Sequence, residues 1–124
     1  MNWLAVACGG AIGACLRYSL ALSFASYGFR FPIATFAANM LGCFLMGLGF
    51  VFIVEKALLS DVWRHFLLVG MLGAFTTYST FSVEVLSLLT DHYWKTALAY
   101  WLGTAILSVL GAGLGVYVAK QLIS

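Results

Sequence analysis

The sequence predicts an all-α membrane protein: four transmembrane helices in one domain over residues 1–124, with the third helix broken. Three observations carry that reading. Hydrophobic residues make up 64% of the 124 and charged residues only 8%, too few to clothe a soluble domain of this size. The apolar residues fall into four runs, 3–25, 33–54, 64–90 and 96–119, each about as long as the roughly 20 residues of a helical crossing. The third run carries "VGMLGAFTTYSTFSVE" at 69–84, where glycines and β-branched threonines weaken the helix locally.

Between the runs stand "SYGFRFP" with Pro32, the only proline, "EKALLSD" around Glu55, Lys56 and Asp61, and "TDHYWK" around Asp91, His92 and Lys95. Connections this short predict antiparallel neighbours. "LAVACGG" at 4–10 has the look of a lipoprotein cleavage site, but no basic residue precedes Cys8 and no signal peptide is expected. Cys8, Cys15 and Cys43 match no metal or redox spacing, and small buried hydrophobes are expected there. His65 and His92 are expected at the membrane interface. No catalytic constellation stands out, so no enzyme is expected, and no nucleic-acid partner is expected either.

Orientation is poorly encoded. Lys56, Arg64 and Lys120 fall on the side of the N-terminus, and Arg30 and Lys95 on the other, joined by Arg17 if it snorkels. Basic residues on cytoplasmic loops set orientation, and here the two sides nearly balance. One reading is a weakly biased protein oriented by the insertion machinery. The other is dual topology, with copies inserted both ways and paired antiparallel about a two-fold axis in the membrane plane. Four helices hardly enclose a polar pathway, which favours the homodimer.

Along the first span, Arg17 is costly in lipid. It serves either as an interfacial anchor beside Tyr18 or as positive potential at the mouth of an anion pathway. Gly9 with Gly13, and Gly111 with Gly115, are spaced for close helix packing. Asn39, in the second span, needs partners for its amide: it ties two helices together or faces a pathway. Tyr100, Thr104 and Ser108 recur every four residues in the fourth span, so they share one helix face.

The third span concentrates the chemistry. A break after Gly70 and Gly73 frees backbone carbonyls, tolerated in a membrane only where protein, water or an ion satisfies them, and a hard cation such as sodium suits them. Beyond it, Thr76, Thr77, Tyr78, Ser79, Thr80 and Ser82 place six hydroxyls in nine residues, with Phe81 and Glu84 among them. Hydroxyls and the positive rims of aromatic rings can replace part of an anion's water without trapping it. A hydrogen-bonded helix interface is the other reading.

"GGAIGACLRY" at 9–18, Asn39 with Gly42 and Phe44, and "GMLGAFTTYSTFSVE" at 70–84 resemble the CrcB/Fluc family of fluoride channels over nearly the whole chain. The resemblance implies passive fluoride export across the bacterial cytoplasmic (inner) membrane, protecting the cell from fluoride taken up as HF. It further implies an antiparallel dual-topology homodimer with two pores and a central structural sodium (Na+). By position, Gly73 and Thr76 correspond to the carbonyl donors to that sodium, and Tyr78 and Phe81 to paired pore phenylalanines. Asn39, Ser79, Thr80 and Ser82 correspond to pore-lining polar positions, and Tyr100, Thr104 and Ser108 to a polar track. Arg17 corresponds to a vestibule arginine and Glu84 to the acidic residue after the pore motif. Two departures stand out: Gly73-Ala74 where the family usually has Gly-Gly, and Tyr78 where it usually has Phe. Two other classes compete. A small multidrug-type proton-coupled antiporter needs a titratable acid, typically in span one, which here holds Arg17 and no acid. A purely structural subunit would not need the hydroxyl cluster.

Overall fold

Helix α1 runs Asn2–Ala25 and ends before Gly28, whose φ of +65° suits a residue without Cβ. These elements come from a computed structural model describing residues 2–124. Pro32 precedes α2, Ile33–Gly49, at a position where its missing N–H costs nothing. The same helix continues through wider turns over Phe50–Glu55. Helix α3, residues 61–75, begins at Asp61–Arg64, where the acid suits the positive end of the helix dipole. It widens over His65–Leu72 and ends at Gly73–Phe75. Helix α4, Ser79–Thr90, stops in a left-handed turn at His92 (φ 66°), with the Tyr93 N–H donating to the Leu88 carbonyl at 2.8 Å, a Schellman closure. Helix α5 is Trp94–Ile123.

Four stretches are long and apolar enough to cross a membrane: Asn2–Ala25, Ile33–Glu55, Asp61–Thr90 and Trp94–Ile123. The four-span expectation is met, with each helix running slightly past the apolar run that marked it. No strand occurs among the described residues.

Two backbone-close pairs build the bundle, and glycine makes both. A Cβ at Gly9 would strike the Phe66 carbonyl, one at Gly13 the Met71 carbonyl, and one at Gly70 the Val6 carbonyl, so α1 lies directly against α3. Likewise a Cβ at Gly47 would strike the Ala112 carbonyl, and one at Gly115 the Phe44 carbonyl, which seats α2 on α5. Membrane helices gain their association from such van der Waals contact because lipid is as apolar as leucine. Phe81, Val85 and Leu88 of α4 bury against Ala97 and Tyr100 of α5. Ile53, Leu68 and Leu72 form a second buried cluster between the end of α2 and α3.

Polar ties mark the two ends. Asn2 Nδ2–H donates to Asp61 Oδ2 (3.2 Å), so α1 and α3 start side by side. At the other end the Arg30 guanidinium lies 3.9 Å from the Tyr93 ring centroid, a cation–π contact joining two connections. The cysteines correct an expectation. Cys43 is half-buried, but Cys8 and Cys15 are exposed on the outside of the chain, because the face of α1 turned to α3 is the glycine face.

Candidate functional site

The helical ladder lapses between Phe75 and Ser79, and the hydrogen bonds around Thr76–Tyr78 give the reason. Thr76 is extended (φ −84°, ψ 157°). The Thr77 N–H, which would pair with the Gly73 carbonyl in a continuous helix, donates instead to Asn39 Oδ1 at 2.8 Å. Asn39 Nδ2–H returns a bond to the Thr77 carbonyl at 3.0 Å. The Thr80 N–H turns to Thr77 Oγ1 (3.2 Å), a side-chain cap at the start of α4, and so leaves the Thr76 carbonyl. Arg17 Nε–H donates to the Ala74 carbonyl at 3.1 Å. Gly73 and Thr76 are thus the carbonyls whose helical partners have been drawn away by Asn39 and by Thr77. The Gly73 oxygen keeps a long contact of 3.5 Å from Thr76 Oγ1, which donates more closely to the Leu72 carbonyl at 3.1 Å.

Below this segment an aromatic chain runs from α4 into α5 and back to the end of α1's connection. Tyr78 and Phe81 meet edge to face with centroids 5.6 Å apart. Phe81 meets Tyr100 at 4.9 Å, and Tyr100 meets Phe31 at 5.2 Å. Phe81 and Tyr100 are buried, whereas Tyr78 is 77% exposed. Tyr100 O–H donates to Glu84 Oε1 (2.8 Å) and Thr35 O–H to Glu84 Oε2 (2.9 Å). Both carboxylate oxygens therefore have a hydroxyl partner in a setting where an unpartnered carboxylate would be costly.

The residues marked in the sequence gather around three open concavities. A groove of about 410 Å³ is lined by Asn39, Gly73, Thr76, Tyr78, Phe81, Thr104 and Ser108, among others. Thr104 Oγ1 is buried there and has no protein partner. A second groove of about 240 Å³ shares Tyr78 and Phe81 and adds Ser82. A cleft of about 520 Å³ on the other side brings together Arg17, Thr35, Thr80 and Glu84. Ser79 lines none of the three, and its hydroxyl lies 3.4 Å from Thr77 Oγ1. Ser82 O–H is spent on the Tyr78 carbonyl at 3.0 Å. Tyr100 is fully buried and lines none of the three concavities, while Thr104 and Ser108 line the groove.

Sequence reasoning missed Thr35. It lies one turn before Asn39 on the same helix face, a signal present in the sequence. Phe31 and Trp101 were missed as well, since neither belongs to a polar pattern.

The chain as a whole matches a known group. A family model described as "CrcB-like protein, Camphor Resistance (CrcB)" matches residues 4–116. The chain belongs to the CrcB family. Among its curated relatives, a "Fluoride-specific ion channel FluC" of Saccharophagus degradans is 46% identical over 121 residues, covering 98% of this chain and 91% of the relative. One of the same description from Magnetococcus marinus is 44% identical over 116 residues, covering 93% and 94%. Another, from Chloroflexus aurantiacus, is 43% identical over 119 residues, covering 92% and 94%. With four helices able to cross a bilayer, this CrcB-family chain is a multi-pass membrane protein. The activity named for its relatives is ion conduction, which calls for no catalytic group.

Proposed function

We propose that the chain forms a fluoride-selective passive channel in the bacterial cytoplasmic membrane, letting fluoride leave the cell and so lowering its toxicity. The observation that carries this reading is the pair of grooves meeting at Tyr78 and Phe81. They are lined by hydroxyls, an amide and ring edges, with no lysine or arginine among the lining residues. Fluoride holds its water strongly, and several weak donors in sequence replace that water without trapping the ion. Fixed positive charge stays to one side, at Arg17 in the cleft it shares with Glu84. In this reading Asn39, Thr104 and Ser108 supply polar contacts in the larger groove. Ser82 joins them in the smaller one by turning its hydroxyl from the Tyr78 carbonyl to the ion. Thr80 stands in the cleft with Arg17 and Glu84, Ser79 lies at the margin, and Tyr100 holds Glu84.

The grooves are open along the side of one chain, and a second copy closes them in this reading. Two copies inserted with opposite orientation form an antiparallel homodimer with two pathways. The near balance of basic residues between the two sides supports it, as does the exposure of Tyr78 and Gly73 on a chain read alone. The third span is then a broken helix whose break has a use. The carbonyls of Gly73 and Thr76, freed from their ladder partners, would hold a structural Na+ at the axis, two oxygens from each copy. Hard carbonyl oxygens suit such an ion, and among the described residues no cluster of His, Cys, Asp or Glu competes for a metal. When bound, the ion neutralises backbone dipoles; it is a structural group and takes no part in conduction.

An antiporter of the small multidrug type finds less support. Glu84, the acid available to it in the third span, is already engaged by hydrogen bonds from two hydroxyls. The deciding experiment is efflux from proteoliposomes holding the purified protein, compared for fluoride, for chloride and for drug-driven proton movement. Fluoride efflux far above chloride, with no drug-coupled proton flux, is expected; drug-coupled proton flux without fluoride efflux sinks the reading. Cysteine-accessibility labelling of both termini in intact cells should find two orientations, and one orientation for every copy would end the antiparallel model. Anomalous scattering should find a monovalent cation near Gly73 and Thr76.

A further inference from the structure

Four tryptophans are present, and three stand at span ends. Trp3 and Trp94 lie in the first turns of α1 and α5, and Trp63 in the first turn of α3. Such ends are where amphipathic rings collect at the membrane–water interface. Trp101 is the exception. It lies seven residues into α5, about 10 Å along the helix axis at 1.5 Å per residue, well inside the apolar segment. An indole N–H at that depth is a donor in need of an acceptor, and among the described residues it donates to no protein atom.

Its place in the fold supplies a candidate acceptor. Trp101 lines the groove that holds Asn39, Thr104 and Ser108, and it also lines the groove that holds Ser82. Only Tyr78 and Phe81 are shared with it between the two. Three aromatic residues therefore stand where one groove gives way to the next. Phe81 brings a C–H edge, Tyr78 a hydroxyl, and Trp101 alone an N–H. Hydrogen bonds from N–H to an ionised acceptor are about twice as strong as neutral ones, so this donor outweighs the ring edges beside it.

We propose that Trp101 is a specificity-determining residue of the pathway, whose indole N–H donates to the anion where it passes between the two grooves. The proposal rests on the fluoride-channel reading above. Buried Thr104 Oγ1, one turn along α5 and without a partner, is the next polar group on the same face, so the anion leaves the indole for a waiting hydroxyl. The bulk of the indole narrows the passage, which favours the smaller halide.

Two measurements on the full chain test it. In proteoliposomes, Trp101→Phe keeps an aromatic ring and removes the N–H, and fluoride efflux should fall by about tenfold, the scale of one lost hydrogen bond to a charged group. Trp3→Phe, far from the grooves, should leave efflux unchanged. Should Trp101→Phe fold poorly, a second measurement uses the triple variant Trp3→Phe/Trp63→Phe/Trp94→Phe. Its one remaining indole 1H–15N resonance should move on adding sodium fluoride and stay still with sodium chloride at equal ionic strength. Efflux by Trp101→Phe at the full rate, or an indole resonance indifferent to fluoride, overturns the Trp101 assignment and leaves the channel reading standing. A native chain that passes no fluoride overturns the channel reading, and this assignment with it.

Discussion

Asn39 and Thr77 exchange two hydrogen bonds, side-chain amide against backbone peptide, at 3.0 and 2.8 Å. The amide does the work of a neighbouring strand, giving Thr77 an acceptor and a donor that a helix would otherwise provide. That exchange draws the Thr77 N–H off the Gly73 carbonyl and fixes the second span to the middle of the third. Asn39→Ala leaves both peptide groups of Thr77 without partners, each worth about 1–3 kcal/mol when buried. A fall in thermal unfolding temperature in detergent is expected, along with loss of fluoride efflux. Asn39→Asp keeps the acceptor for the Thr77 N–H but sets a carboxylate oxygen against the Thr77 carbonyl in place of the donor. That arrangement is costly in a membrane, so it should not restore the native stability.

Thr76 fits against α2 because residue 42 is glycine: a Cβ at Gly42 would strike Thr76 Cγ2. Gly42→Ala should therefore displace Thr76 and, if its carbonyl holds sodium, weaken the dependence of thermal stability on Na+. Thr76→Ser removes the obstructing methyl. The double variant Gly42→Ala/Thr76→Ser should regain the Na+ dependence measured against N-methylglucamine. Failure of the serine to rescue would count against the packing explanation.

Glu84 is held by two hydroxyls on different helices, Thr35 on α2 and Tyr100 on α5. Tyr100→Phe leaves one oxygen of the Glu84 carboxyl without its hydroxyl partner and should cost about 1–3 kcal/mol. Glu84→Ala should cost more alone, because it leaves both hydroxyls without their acceptor. In a double-mutant cycle the pair should be non-additive by about 1 kcal/mol or more, read from unfolding midpoints. Additive losses would show that the Tyr100 hydroxyl and Glu84 act independently.

Local patterns were readable and distant pairings were not. The four spans followed from apolar run length, and the glycine pairs Gly9/Gly13 and Gly111/Gly115 from their spacing. Gly9, Gly13 and Gly115 turn out to press on a backbone carbonyl of a neighbouring helix, whereas a Cβ at Gly111 would make only an ordinary contact with the Met40 carbonyl at 3.8 Å. The sequence left Asn39 between a helix tie and a pathway donor, because its partner Thr77 is 38 residues away. Arg17 was read as an anchor or a vestibule charge, yet its donor lands on the Ala74 carbonyl, 57 residues on. Hydroxyl counting also overstated the free donors. Ser82 and Thr76 bond back to their own helix, the usual habit of such residues. The widened turns at Phe50–Glu55 and His65–Leu72 had no visible signal, since one-residue changes in helical pitch are set by packing against neighbours.

Glycines that look alike in the sequence should behave differently. Gly13→Ala drives a Cβ into the Met71 carbonyl, and forced separation of α1 from α3 should cost at least about 1–3 kcal/mol. Gly103 sits in α5 with nothing within 4 Å of its added Cβ, so Gly103→Ala should be neutral or stabilise by up to about 1 kcal/mol through helix propensity. Thermal unfolding of the two variants side by side checks the contrast.

Phe81 decides whether ring edges form the pathway. It is buried between Tyr78 and Tyr100, with centroid separations of 5.6 and 4.9 Å. Such edge-to-face pairs contribute about 0.5–1.5 kcal/mol each beyond area burial. Phe81→Ile removes the ring while keeping much of the apolar volume, so some loss of stability accompanies any loss of flux. The two are separated by measuring efflux only on protein that elutes like the native chain. On that material fluoride efflux should fall sharply, because a branched alkyl group offers an anion no positive rim. Tyr78→Phe keeps the rim and the contact to Phe81 and removes only the hydroxyl of a largely exposed side chain, so it should still conduct. If well-folded Phe81→Ile passes fluoride at the native rate, the ring edges belong to a packing interface, and the anion travels by the hydroxyls alone.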